Sequence, residues 1–143
     1  MKKTYITTNF KQTQGLGEML AKELRGGEIL ALTGELGSGK TTFAQGVLKG
    51  LGVKGPYTSP TFVVLKHYRI MNYELGIRNV YHIDAYRVGV KDILDLGWEE
   101  IIANKKNIVI VEWAEKMKRI VPERAVWISF RHKGKEKRGI SFK

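Results

Sequence analysis

Apolar positions along this chain switch between a continuous pattern and a helical period. In "EILALTG" (28–34) they run without interruption and stop at a glycine, as in a short buried strand. In "TTFAQGVLKGLG" (41–52), Phe43, Val47, Leu48 and Leu51 recur at helical spacings, and Gly50 and Gly52 supply stop signals. "TQGLGEMLAKEL" (13–24) places Leu16, Met19, Leu20 and Leu24 on one helical face, with Thr13 as the N-cap. "TFVVLKHYRI" (61–70) and "NVYHIDAYRV" (79–88) are rich in β-branched and aromatic residues and predict strands. The "MNYELGIR" between them has turn character but is too long for a tight hairpin. "KDILDLGWEEIIA" (91–103) predicts one helix, weakened by about 1 kcal/mol at Gly97. "NIVIVEWAE" (107–115) is the most apolar strand and therefore a central one. "RAVWISFRH" (124–132) and "RGISF" (138–142) alternate around "KGKEK", which predicts a basic-tipped hairpin at the sheet edge. The fold class is α/β, a central sheet with flanking helices and a C-terminal β-hairpin, in a single domain over 1–143.

Between the first strand and its helix stands "GELGSGKTT" (34–42), which fits G-x-x-x-x-G-K-[ST] through Gly34, Gly39, Lys40 and Thr41. Glycines there let successive backbone N–H groups converge on a polyphosphate without Cβ clashes. The residues predicted to surround the phosphates are Gly37, Ser38, Gly39, Lys40, Thr41 and Thr42. Lys40 reaches the β- and γ-phosphates in such a loop, and the Thr41 hydroxyl holds magnesium. A strand feeding a helix N-terminus adds the positive end of the helix dipole. The domain is thus expected to be P-loop NTPase-like, with nucleotide and Mg2+ as ligands.

A P-loop site needs an acid at the end of a neighbouring strand to hold magnesium. Glu112, directly after "IVIV", is one candidate, and Asp84, ending "VYHI", is the other. Trp113 beside Glu112 suits packing, and Glu115 suits solvent. In "TSPTF" (58–62), Pro60 holds Ser59 extended and Thr61 offers a hydroxyl. That loop threonine is expected to sense γ-phosphate or magnesium, as switch loops do. "ANKKN" (103–107) is not the N-K-x-D that reads guanine, and no D-x-x-G follows a strand, so ATP is favoured over GTP. A small-molecule or nucleotide kinase would use lid arginines. Arg69, Arg78 and Arg87 are available, but their spacing carries no such signal.

Charge separates the chain into unequal parts. Of a net +11, residues 1–115 carry +3 and residues 116–143 carry +8. A basic segment of that kind attracts nucleic acid or an acidic protein, or is a solvated face. One alternative is therefore a basic RNA-binding module with a merely structural P-loop. The absence of cysteine excludes disulfides, thiolate catalysis and Cys-based zinc sites. His67, His82 and His132 are too scattered to suggest a metal cluster and point to surface or core roles. No run approaches membrane-spanning length, and "MKKTYITTNF" lacks a signal peptide's apolar region, so a cytoplasmic location is expected.

"GELGSGKTTFAQG", "SPTF", "HIDAYR", "LGWEE" and "VEWAE" occur here in that order. Their spacing, from about Thr13 to the C-terminal hairpin, resembles one bacterial family. It is the small ATPase family of the tRNA N6-threonylcarbamoyladenosine machinery (TsaE, also called YjeE). The resemblance implies a Mg-ATP-binding, weakly hydrolysing subunit. Its partners would be the threonylcarbamoyltransferase subunits that modify tRNA adenosine 37, with tRNA met indirectly or through the basic hairpin. Carried over by position, Lys40 and the 37–42 backbone hold phosphates, and Thr41 and Glu112 bind magnesium. Asp84 is a catalytic or metal-linked acid, and Thr61 a switch-loop residue. The segment at Thr13 and a hairpin cation, Lys135 or Arg138, would touch the nucleotide.

Overall fold

Continuous apolar runs need strands covered on both faces. The computed structural model, which describes residues 3–57, 64–71 and 76–143, buries such a run on two central strands. In chain order the first elements are β1 (Lys3–Thr7), α1 (Phe10–Ala21), β2 (Ile29–Gly34), α2 (Lys40–Gly50), β3 (Leu65–Arg69) and β4 (Asn79–Asp84). After them come α3 (Val90–Asp95), α4 (Trp98–Ala103), β5 (Asn107–Glu112), a 3₁₀ turn (Ala114–Met117), β6 (Val126–His132) and β7 (Arg138–Phe142). The described strands form one seven-stranded sheet in the order β1-β7-β6-β2-β5-β4-β3. Its middle, β6-β2-β5-β4, is parallel, and β3, β7 and β1 add antiparallel margins.

Alternation along the parallel strands sorts the core onto two faces. Leu30, Leu32, Val80, Ile108 and Ile110 pack with Phe43, Val47 and Leu48 of α2. Ile29, Ala31, Ile83, Val109 and Val111 pack on the other side with Ile93, Trp98 and Met117. Burying each large apolar side chain contributes about 1.5–3 kcal/mol, so both helical layers are held by the same strands. Parallel register aligns Leu32 with Glu112 and Glu112 with Asp84. Three strand ends therefore open on one edge of the sheet, where open α/β sheets bind ligands.

Several boundaries differ from the sequence expectation. Helix α1 starts three residues before Thr13, and its N-cap is Asn9, whose side chain accepts from the Gln12 N–H at 2.9 Å. Gln12 Oε1 in turn accepts from the Thr8 N–H at 2.8 Å, which completes a polar cap that apolar periodicity does not reveal. Thr13 is instead buried in the helix, its hydroxyl 2.7 Å from that of Thr7. The helix expected over 91–103 is two helices, because Gly97 adopts φ 89°, a left-handed conformation that starts α4 in a new direction. Strand β4 ends at Asp84 rather than continuing to 88. The β6–β7 hairpin forms as expected, but it is not the sheet edge, since β1 pairs with the outer side of β7.

Candidate functional site

The loop between β2 and α2 leaves a helix start open. Gly39 is the N-cap at φ 108°, a conformation a residue with a Cβ adopts only under strain, and no side chain caps the helix. The first N–H groups of α2 thus point out of the helix without a side-chain acceptor, which is the arrangement that attracts anions. The Ser38 hydroxyl beside them is buried and has no hydrogen-bond partner among the described residues.

Lys40, the first residue of α2, is only 4% exposed. Its ammonium donates to the carbonyl oxygens of Gly34 and Glu35, the latter at 3.0 Å, and lies 4.0 Å from the centroid of the Trp113 ring. Burial pushes its pKa below the ordinary lysine value, while Glu112, Glu115, Asp84 and Glu35 act in the opposite direction. The loop's own carbonyls and an aromatic face satisfy this cation.

Thr41 donates its hydroxyl to Glu112 Oε1 at 2.8 Å. The other carboxylate oxygen, Oε2, lies 2.6 Å from His82 Nε2, and both residues are buried. Asp84, at the adjacent strand end, accepts from the Tyr86 N–H at 2.9 Å. Beyond Glu112 the chain turns through Trp113 at φ 60°. That turn brings the indole against Tyr86, with ring centroids 4.7 Å apart, and places Glu115 Oε2 3.4 Å from the Gly34 N–H. Lys116 closes this side by donating to the Tyr86 carbonyl at 2.8 Å.

These groups line a cleft of about 480 Å³, within the range of small-molecule sites. Gly37, Ser38, Gly39, Lys40, Thr41 and Thr42 form its floor. Thr13, Asp84, Glu112 and Arg138 also line it, so most of the expected residues converge. Arg138 Nη1 donates to the Lys135 and Lys137 carbonyls, each at 3.1 Å, and ties the hairpin turn to the cleft wall. The Lys135 side chain is exposed and lies outside the lining. Thr61 falls outside the described residues. The sequence pattern suited Trp113 to packing, Glu115 to solvent and His82 to a surface or core role, whereas all three stand at or beside the site. The one signal for His82 was a polar residue within the apolar run "VYHI".

Among the described residues no group of three or more His, Cys, Asp or Glu side chains forms a metal cage. One hydroxyl and one carboxylate, both hard oxygen donors, suit magnesium, which takes one or two protein ligands and fills the rest with water and phosphate. Because the Thr41 proton points at Glu112, its oxygen lone pairs remain for an ion.

Sheet, loop and helix together define a P-loop NTPase-like fold, and a solved structure has the same shape. The crystal structure of Bacillus subtilis YdiB matches with a TM-score of 0.80 and 28% identity, over 99% of this chain and 84% of that one. The family model described as "Threonylcarbamoyl adenosine biosynthesis protein TsaE" matches residues 7–140. The tRNA threonylcarbamoyladenosine biosynthesis protein TsaE of Bacillus subtilis is 33% identical over 136 residues, 95% of this chain and 82% of that protein. The protein of the same name from Treponema pallidum is 32% identical over 127 residues, 88% of this chain and 89% of that one. The chain belongs to the TsaE family. Among the described residues, no helix is long and apolar enough to cross a membrane.

Proposed function

We propose that this chain binds Mg-ATP in the cleft beside Lys40. It hydrolyses ATP slowly in support of threonylcarbamoyladenosine formation on tRNA adenosine 37, with the transfer chemistry in partner subunits. The observation that carries this is the Thr41–Glu112 hydrogen bond of 2.8 Å at the start of an uncapped helix whose first residue is Lys40. That combination serves a phosphate chain and a hard cation at one place. The relatives' names supply the pathway.

In this function the 37–42 backbone binds the phosphates, and Lys40 leaves the Gly34 and Glu35 carbonyls to pair with them. Thr41 and Glu112 would hold magnesium, which when bound neutralises charge on the β- and γ-phosphate oxygens. Asp84, at the mouth of the same strand row, orients or deprotonates the attacking water. Thr13 flanks the nucleotide from α1, and the hairpin cation is Arg138, which lines the cleft, rather than Lys135, which does not. Thr61 acts as the switch-loop hydroxyl. The threonylcarbamoyltransferase subunits are the partners, in the cytoplasm.

Purified chain is assayed for ATP hydrolysis alone and with the transferase subunits, and for capture of those subunits with and without Mg-ATP. Nucleotide-dependent capture and slow hydrolysis support the function. Capture indifferent to nucleotide, together with no hydrolysis in either state, overturns it.

A further inference from the structure

His82 occupies a position where its strand otherwise buries hydrocarbon. Val80 precedes it on the same face, and its register partner on β5 is Ile110, both fully buried. Glu112 lies two residues beyond Ile110, so His82 and Glu112 are diagonal neighbours on one face, within reach of two long side chains. They meet at 2.6 Å between Nε2 and Oε2. A carboxylate oxygen only accepts, so Nε2 carries the proton. His82 Nδ1 is buried without a hydrogen-bond partner among the described residues. Among the described residues the bond to Glu112 is the imidazole's one hydrogen bond, and without it a buried carboxylate oxygen would lose its donor. The histidine therefore serves Glu112 rather than the core.

That partner is fixed from two sides. Thr41 donates to Oε1 and His82 to Oε2, which determines both the position and the rotation of the carboxylate. We propose that His82 is a positioning residue, setting the Glu112 carboxylate for the divalent ion, an inference that rests on Glu112 being the metal-side acid. Groups that orient metal ligands in this way change metal affinity or activity about 10–100-fold when removed.

The test is calorimetry of ATP binding across a series of Mg2+ concentrations, with thermal unfolding of each variant in parallel. In His82→Leu, which has no donor, the Mg2+ concentration that half-tightens ATP binding rises about 10–100-fold, while Mg-free ATP binding is unchanged. His82→Gln, whose amide nitrogen stands about as far out as Nε2, returns that midpoint close to the parental one. His82→Asn keeps a polar side chain that falls short of Glu112 and behaves like the leucine variant, which serves if leucine prevents folding. A parental midpoint in folded Leu or Asn variants, with Glu112→Gln shifted, overturns the role of His82 alone. The same holds if folded His82→Gln is as impaired as His82→Asn. A parental midpoint in Glu112→Gln as well overturns the assignment of Glu112 and the inference with it.

Discussion

The Lys40 ammonium lies 4.0 Å from the centroid of the Trp113 ring, although the two residues belong to different strand ends. This contact follows from the adjacency of β2 and β5 and from the turn at Trp113, whose φ of 60° swings the indole back over the loop. A cation held against an indole perturbs its emission, and a phosphate that draws Lys40 away removes the perturbation. ATP addition should therefore change tryptophan fluorescence, and Trp113→Phe should abolish the change while leaving Trp98 and Trp127 in place. An undiminished signal in that variant would show that the indole does not report on Lys40.

Glu112 and Asp84 stand in register at the ends of β5 and β4. Glu112→Gln keeps an oxygen for Thr41 but loses the charge, and Asp84→Asn keeps the acceptor for the Tyr86 N–H. Each should lower ATP hydrolysis by at least about 100-fold, the scale of losing one electrostatic or general-base contribution. Circular dichroism should stay parental. Parental hydrolysis by both variants in the partner complex would remove both residues from the chemistry.

How much of this site could be read from the sequence depends on how local its causes are. The loop and Glu112 were legible because each follows an apolar strand run, a pattern that survives in any fold of that class. Asp84 was legible for the same reason, although its strand stops there and not at 88. Strand β1 was not foreseen. Four of its five residues are exposed, so it carries no burial alternation, and it forms because β7 offers it a backbone edge. The break at Gly97 was read as a weak spot within one helix, because propensity does not say whether a glycine will take a left-handed φ. The contacts of His82 and Trp113 depend on strand register and on one backbone turn, neither of which is written in the local pattern.

Trp98 illustrates a motif residue with a structural role. It is 1% exposed in the layer under β4 and β5, and its Nε1–H donates to the Ile120 carbonyl at 3.0 Å. Trp98→Ala should lower the free energy of unfolding in urea by about 3–5 kcal/mol, the range for large aromatic truncations in cores. The folded fraction should still bind ATP, since Trp98 is not among the residues that line the cleft. A loss below about 1 kcal/mol would mean that the layer repacks around the vacancy.

The hairpin turn displays Arg131, Lys133, Lys135 and Lys137 to solvent. If this tip meets tRNA phosphates, binding falls steeply with salt, with a log–log slope of about −0.7 to −0.9 per neutralised phosphate. Replacing Lys133, Lys135 and Lys137 by Ser should weaken tRNA binding by the partner complex and flatten that slope. The turn itself should persist, because the Lys133 N–H to Lys137 carbonyl bond of 2.8 Å and the Arg138 contacts use backbone oxygens. Parental affinity and slope in the triple variant would make the tip a solvated surface.

The most direct measurement is calorimetric titration of Mg-ATP into the parental chain and into Lys40→Ala. Lys40 is the one ammonium buried in the loop, and its removal leaves the phosphates without that charge while the sheet and helices are untouched. Losing one partner of a desolvated charge pair costs about 2–5 kcal/mol. The account predicts saturable ATP binding by the parent and a loss of at least about thirtyfold in the variant, with thermal unfolding showing a folded protein. Equal ATP affinity in the two folded proteins would contradict it.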